Sequence, residues 1–300
     1  SPALPSNPPP PPPVEQGACR PLWAHPSRRN LMRAVKRALK WAVAQGHLES
    51  SPIAHMEIPG GQAREVYVTP EEFNRLLDNV VDSGFADLLT VTYEIGCRPQ
   101  ESLRVEARHV DIQHKRWIFP PSESKTKSMP RVVYLSERAA AITARLVKQY
   151  PAGPLFRNKN GRAWTKDAIG CAFDRLQVRM GKAVMKARGE KVDERDVAAY
   201  AKTLRTHRTV QGEVQQKPKA ELLGEARRKL TQRASREYAP RYSLYALRHS
   251  WATNALKNGV DSLTVAILMG HRDPSTLART YQHLSHNPDH LLAEARRACG

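Results

Sequence analysis

The chain has 300 residues, with 48 Lys plus Arg against 29 Asp plus Glu, a formal net charge of +19 and a pI near 10.1. A hydrophobic fraction of 40% excludes wholesale disorder, no apolar run approaches the ~18 residues of a membrane span, and the length predicts one to three domains with a real core. So large a positive excess points to a polyanion, nucleic acid first, with a solvated basic surface as the alternative. Cys19, Cys97, Cys171 and Cys299 lie far apart, without Cys-x-x-Cys or interleaved His spacing. That predicts neither a disulfide scaffold nor a metal site, and a reducing interior. No charged-then-apolar secretory leader is visible.

In chain order, residues 1–13 hold eight of the 23 prolines. The stretch 1–26 therefore reads as a disordered polyproline-type tail. A helix is expected from Arg28 to Ala44, capped by Ser27, with Leu31, Val35, Ala38, Leu39 and Ala42 as its dry stripe. Arg29, Arg33, Lys36, Arg37 and Lys40 fall in one arc opposite, a row suited to a phosphate backbone or, as the plain alternative, to solvent. A Gly-rich joint at Pro59-Gly60-Gly61 follows, so residues 27–62 read as a partial N-terminal helical segment with its linker. Residues 63–300 are expected to form a second domain.

That domain opens on a capping box, Thr69-Pro70-Glu71-Glu72. A helix from about Gly84 to Ile95 buries Phe85, Leu88, Leu89 and Ile95. Short β-rich runs at Val110 to Ile112, Arg116 to Phe119 and Arg131 to Leu135 predict an antiparallel meander. Ser136 and Thr165 can cap later helices. Arg179 to Arg241 carries 17 Lys plus Arg against 8 Asp plus Glu, and residues 181–240 are expected as surface helices without a core of their own. Helices then start near Leu247 and at Asp261. Asp273-Pro274 opens another, bearing Leu277, Tyr281 and Leu284, and Asn287-Pro288 a last one. The fold class is mainly α with a small antiparallel sheet. Taken alone, Tyr281 reads as core between two leucines and His271 as a surface or capping histidine.

Read together, Gly96-Cys97-Arg98-Pro99-Gln100-Glu101, Ser124-Lys125-Thr126-Lys127, Leu247-Arg248-His249, Gly270-His271 and Tyr281-Gln282-His283 form an ordered series. In that order and spacing the chain resembles the tyrosine recombinase (phage integrase) family, over about residues 28–180 and 240–290. The resemblance implies a catalytic domain preceded by a truncated helical DNA-binding segment. It implies that Arg98 and Arg248 clamp the non-bridging oxygens of a scissile phosphodiester, as bidentate guanidinium groups can. Lys125 matches the hairpin lysine that protonates the departing 5′-oxygen, with Lys127 as its neighbour and competitor. His271 supports the transition state, Tyr281 is the nucleophile of a 3′-phosphotyrosyl link, and Glu101 braces the arginines. Where the family usually has His, this chain has Tyr245, which fits a phosphate contact better than a base.

The implied partners are double-stranded DNA and other copies of the chain, as a homo-tetramer on paired DNA sites. No metal and no cofactor are implied, no membrane is involved, and the implied location is the cytoplasm and nucleoid of a prokaryotic-type cell. Residues 181–240 read as a basic insertion that supplements DNA contact. Two other readings stay open: a DNA-binding remnant without catalysis, and a type IB topoisomerase-like enzyme.

Overall fold

The computed structural model describes residues 25–60, 67–124, 129–271 and Arg296. The chain divides into two units, residues 1–64 and 65–300. The proline run, Lys125, Lys127, Tyr281 and the expected helices after Asp273 and Asn287 lie outside the described residues.

In the first unit, α1 (His25–Ala44) begins earlier than expected. Ser27 is thus inside the helix and does not cap it, because Pro26 fits a first helical turn, where its missing N–H costs nothing. The chain leaves through Gly46 at φ +74, the left-handed conformation that glycine adopts freely. The expected dry stripe is not covered, since Leu31 is 47% and Val35 42% exposed. Of the five cations, Arg33, Arg37 and Lys40 are exposed and Arg29 is half-buried. Lys36 is committed within the unit, its Nζ donating to the carbonyls of Ala54 at 2.8 Å and Met56 at 2.7 Å.

In the second unit, α2 (Pro70–Asp78) opens on the expected capping box. The Glu72 N–H donates to Thr69 Oγ1 at 3.2 Å, and the Thr69 N–H to Glu72 Oε2 at 3.1 Å. α3 (Ser83–Ile95) buries Phe85, Leu88, Leu89 and Ile95 as its spacing predicts. α4 (Pro99–Arg104) follows after one sharp turn. The meander is present as β1 (Val110–Asp111), β2 (Arg116–Phe119) and β3 (Arg131–Tyr134), antiparallel and in that order. Its register pairs Trp117 with Val133 and Phe119 with Arg131. α5 (Glu137–Gln149) and α6 (Lys166–Ala187) are capped by Ser136 and Thr165 as expected. Leu88, Leu89, Trp117, Phe156, Leu176 and Leu247 are fully buried in the main core, each such side chain contributing about 1.5–3 kcal/mol.

The basic stretch differs from expectation. α6 runs on into it, and then come α7 (Glu194–Ala201), the hairpin β4 (His207–Val210) and β5 (Glu213–Gln216), and α8 (Lys219–Ser235). The stretch has a small core of its own. Val197, Ala201 and Ala226 are buried there, with Tyr200, Leu204, Leu222, Leu223 and Leu230 packed around them. Two thin apolar stripes, each too weak to signal a core alone, cover each other. The hairpin turns through Gln211 at φ +51 and Gly212 at φ +90, as a two-residue β-turn requires.

α9 (Leu244–Lys257) and α10 (Ser262–Met269) are capped by Ser243 and Asp261. They meet through Ala252, Val265, Ala266 and Met269, with half-buried Trp251 against them. Among the described residues, no helix is long and apolar enough to cross a membrane.

Candidate active site

The site forms where two helices end. α3 stops at Gly96, φ +58, and α10 at Gly270, φ +69. Both glycines are required twice over: by the left-handed backbone and by contact. A Cβ on Gly96 would lie 2.4 Å from the Trp251 ring, and one on Gly270 would lie 2.8 Å from the Arg131 guanidinium carbon. These close approaches explain why the two motifs each contain a glycine just before the functional side chain.

A helix end leaves its last carbonyls without N–H partners and concentrates negative potential there. At α10, arginines occupy three successive carbonyls. Arg131 Nη2 donates to Leu268 O at 2.8 Å, Arg248 Nη2 to Met269 O at 2.8 Å, and Arg98 Nη2 to Gly270 O. Arg248 Nη1 also donates to Gly96 O at 2.6 Å, joining the two helix ends. Glu101, on α4, supplies the countercharge. Its carboxylate accepts from Arg98 Nη1 at 2.9 Å, from the Arg98 backbone N–H at 2.8 Å and from Arg131 Nε at 3.0 Å. Like charges can gather here because carbonyl ends and a carboxylate face them.

The protonation states follow from burial and neighbours. Burial pushes the Glu101 carboxyl up, but the Arg131 charge and hydrogen bond, with the Arg98 N–H and charge, bring it net below the ordinary carboxylate range. Arg248 is 4% exposed. Burial, with Arg98 and Arg131 beside it, brings its guanidinium down to about 10 against the pull of Glu101, so it stays charged at neutral pH. His271 falls to about 4, first through burial and then through Arg248, Arg98 and Arg131. Its ring is neutral at pH 7. Arg248 Nη2 lies 3.2 Å from His271 Nε2, and arginine can only donate. Nε2 therefore accepts, and the ring proton resides on Nδ1, buried without a partner among the described residues. Burial raises the neighbouring Cys97 thiol to about 12, which makes it a poor nucleophile.

Of the predicted site residues, the structure brings together Arg98, Arg248 and His271, with Glu101 as their brace. Tyr245 stands on the first turn of α9, 59% exposed, with no hydrogen bond to the cluster among the described residues. Lys125, Lys127 and Tyr281 lie outside the described residues. A cavity of about 350 Å³ beside the cluster is lined by Arg98, Arg104, Ser124 and Arg131, so it reaches the residue just before Lys125. Arg131 is the member that the sequence reading missed. The sequence pattern marks it only as the start of a strand. Strand alternation puts it on the same face as buried Val133, and an arginine on an inward face was the available signal. Among the described residues no group of His, Cys, Asp or Glu could hold a metal ion.

Residues 174–287 match the family model described as the phage integrase family. The matched stretch includes Arg248, His271 and Tyr281, and excludes Arg98 and Lys125. No curated protein matches the sequence. Among solved structures, the chain is similar to the Tn1549 transposon integrase in complex with transposon right end DNA. The TM-score is 0.56 at 18% identity, covering 90% of this chain and 78% of that one. It is also similar to the XerH site-specific recombinase bound to palindromic difH substrate, with a TM-score of 0.51 at 13% identity, covering 90% of this chain and 67% of that one. At these identities the likeness is one of fold.

Proposed function

We propose, from the match of residues 174–287 to the phage integrase family model, that the chain is a site-specific DNA recombinase, cleaving and rejoining strands through a 3′-phosphotyrosyl intermediate in the integration or excision of a mobile element. The observation that carries this reading is the convergence of Arg98, Arg248 and His271 at the end of α10, with an unpartnered buried N–H on His271. A phosphodiester has the matching chemistry: oxygens that accept guanidinium hydrogen bonds.

In the cleavage step the Tyr281 phenolic oxygen forms a bond to phosphorus and the bond to the 5′-oxygen breaks. The phenol proton goes to water, because His271 is neutral with Nε2 already accepting, and Tyr245 is a phosphate contact rather than a base. Lys125 gives a proton to the departing 5′-oxygen, with Lys127 next to it. Rejoining reverses each transfer. The phosphoester bond energy is kept in the tyrosyl link, so no nucleotide cofactor is consumed. Two guanidinium groups favour the phenolate, whose free pKa near 10 otherwise makes it a poor nucleophile.

Within this reading, residues 27–62 are a DNA-gripping helical segment, through Arg29, Arg33, Arg37 and Lys40, and residues 63–300 are the catalytic domain. The basic insertion at 181–240 adds DNA contact. The assembly is a homo-tetramer on paired duplex sites in the nucleoid. A duplex with a nick just beyond the scissile phosphate traps the intermediate. The wild-type chain is expected to become covalently attached, and Tyr281→Phe to lose the adduct while still retaining duplex. An adduct that persists in Tyr281→Phe removes Tyr281 as nucleophile. No adduct from the wild-type chain, with salt-sensitive duplex binding intact, leaves a DNA-binding protein.

A further inference from the structure

Arg131 has as many partners in the site's scaffold as Arg248, three each. Its three donor groups each take a different partner: Nε the Glu101 carboxylate at 3.0 Å, Nη1 the Val132 carbonyl at 2.8 Å, and Nη2 the Leu268 carbonyl at 2.8 Å. Its side chain is 10% exposed, against 23% for Arg98. The guanidinium also lies under Gly270, where a Cβ would come within 2.8 Å of its carbon. One planar fork thus ties β3 to α4 and to the end of α10.

We infer that Arg131 is a positioning residue of the phosphate site, one that holds Glu101 behind Arg98 and the end of α10 behind His271 without itself contacting the phosphate. The inference rests on the proposed recombinase reading for its effect on rate, but not for its effect on structure. Three of the five guanidinium N–H groups of Arg131 are committed to protein acceptors on three different nitrogens, so its plane is fixed by the scaffold. Losing it frees Glu101 to move, and with Glu101 the Nη1 group of Arg98. It also removes a donor from Leu268, just before the Gly270 turn that aims His271. The His271 N–H donates to Ala266 O at 2.8 Å and the Gly270 N–H to Ile267 O at 2.8 Å, and these two bonds report whether the turn holds. Lysine keeps the charge but has one nitrogen where arginine has a fork, and it cannot reach all three partners at once.

The test uses the full chain with Arg131→Lys and Arg131→Gln. Both variants are expected to exchange the Gly270 and His271 amide hydrogens faster, while the α3 and α5 amides keep wild-type protection. On the nicked duplex both should form the tyrosyl adduct slower by about 10²-fold, the typical penalty for a small misplacement of a catalytic group. Duplex affinity and its salt slope should stay at wild-type values. A wild-type adduct rate in Arg131→Lys overturns the inference. So does unchanged exchange at Gly270 and His271. So does a fall of about one in the salt slope, which would make Arg131 a direct phosphate contact. If Arg131→Gln fails to fold, Arg131→Lys decides alone. If the wild-type chain forms no adduct, the recombinase reading falls, and the exchange measurement still judges the clamp.

Discussion

The second unit gathers positive charge in two ways. At the end of α10, Arg131 and Arg248 are buried and Arg98 is half-buried; every guanidinium is fixed by backbone carbonyls, and those of Arg98 and Arg131 also by Glu101. In the insertion, Arg228 and Arg233 on α8 are exposed, while Arg227 meets Glu194 at 2.7 Å across to the start of α7. The first arrangement spends desolvation to hold charge in one geometry, which suits recognition of a single phosphate. The second leaves charge mobile and solvated, which suits attraction to a polyanion at any register and is screened by salt. Net charge alone does not separate them. What separates them is burial: the Arg131–Glu101 pair is 10% and 11% exposed, whereas the Arg227–Glu194 pair is 50% and 67% exposed.

The largest expected effect comes from removing the bond between the two helix ends. Arg248→Ala strips the donor from Gly96 O and Met269 O, each a loss of about 1–3 kcal/mol for a buried unsatisfied group. Urea unfolding should show that loss, and the adduct should vanish. A variant with wild-type stability would mean that those carbonyls find other partners, and the contrast with the insertion would weaken.

Next comes the countercharge. Glu101→Gln should lower stability by about 1.5–3 kcal/mol at pH 7, the range for a hydrogen bond to a charged group. Because the folded state holds the Glu101 carboxyl below its ordinary 4.5, its contribution is fully present above that value. It is lost as pH falls through the depressed folded value. The gap between wild type and variant, read from denaturant midpoints, should therefore close on acidification below about pH 4.5. A gap that stays constant with pH would show that the carboxylate charge is not what holds the arginines.

The smallest effect is confined to the insertion. The backbones of α6 and α8 touch at Gly181, where a Cβ would stand 1.7 Å from Ser235 O. Gly181→Ala should cost about 1–3 kcal/mol by overpacking. Hydrogen exchange should speed up over α7 and α8 while α3 and α9 keep their protection. If protection fell equally in α3 and α9, the insertion would be part of the main core rather than a module packed on α6.

Much of this protein was legible in its sequence because the signals are local. Thr69, Ser136, Thr165 and Asp261 cap helices where their short polar side chains precede apolar periodicity. The Gly96-to-Glu101 and Gly270-His271 motifs marked two helix ends and three of the side chains that meet there, and period-two runs gave the three-stranded meander. The sequence misled where cover comes from elsewhere: Leu31 and Val35 make a helical stripe that the described residues leave exposed, and two thin stripes on α7 and α8 make a core only by facing each other.

Tertiary structure alone decided the partners of Arg131, the neutral state of His271 and the carbonyls that hold the arginines. None of these is a property of a segment. Each depends on which backbone groups are left unpaired at a helix end, and on how far water is kept from them once residues more than a hundred positions apart are packed together.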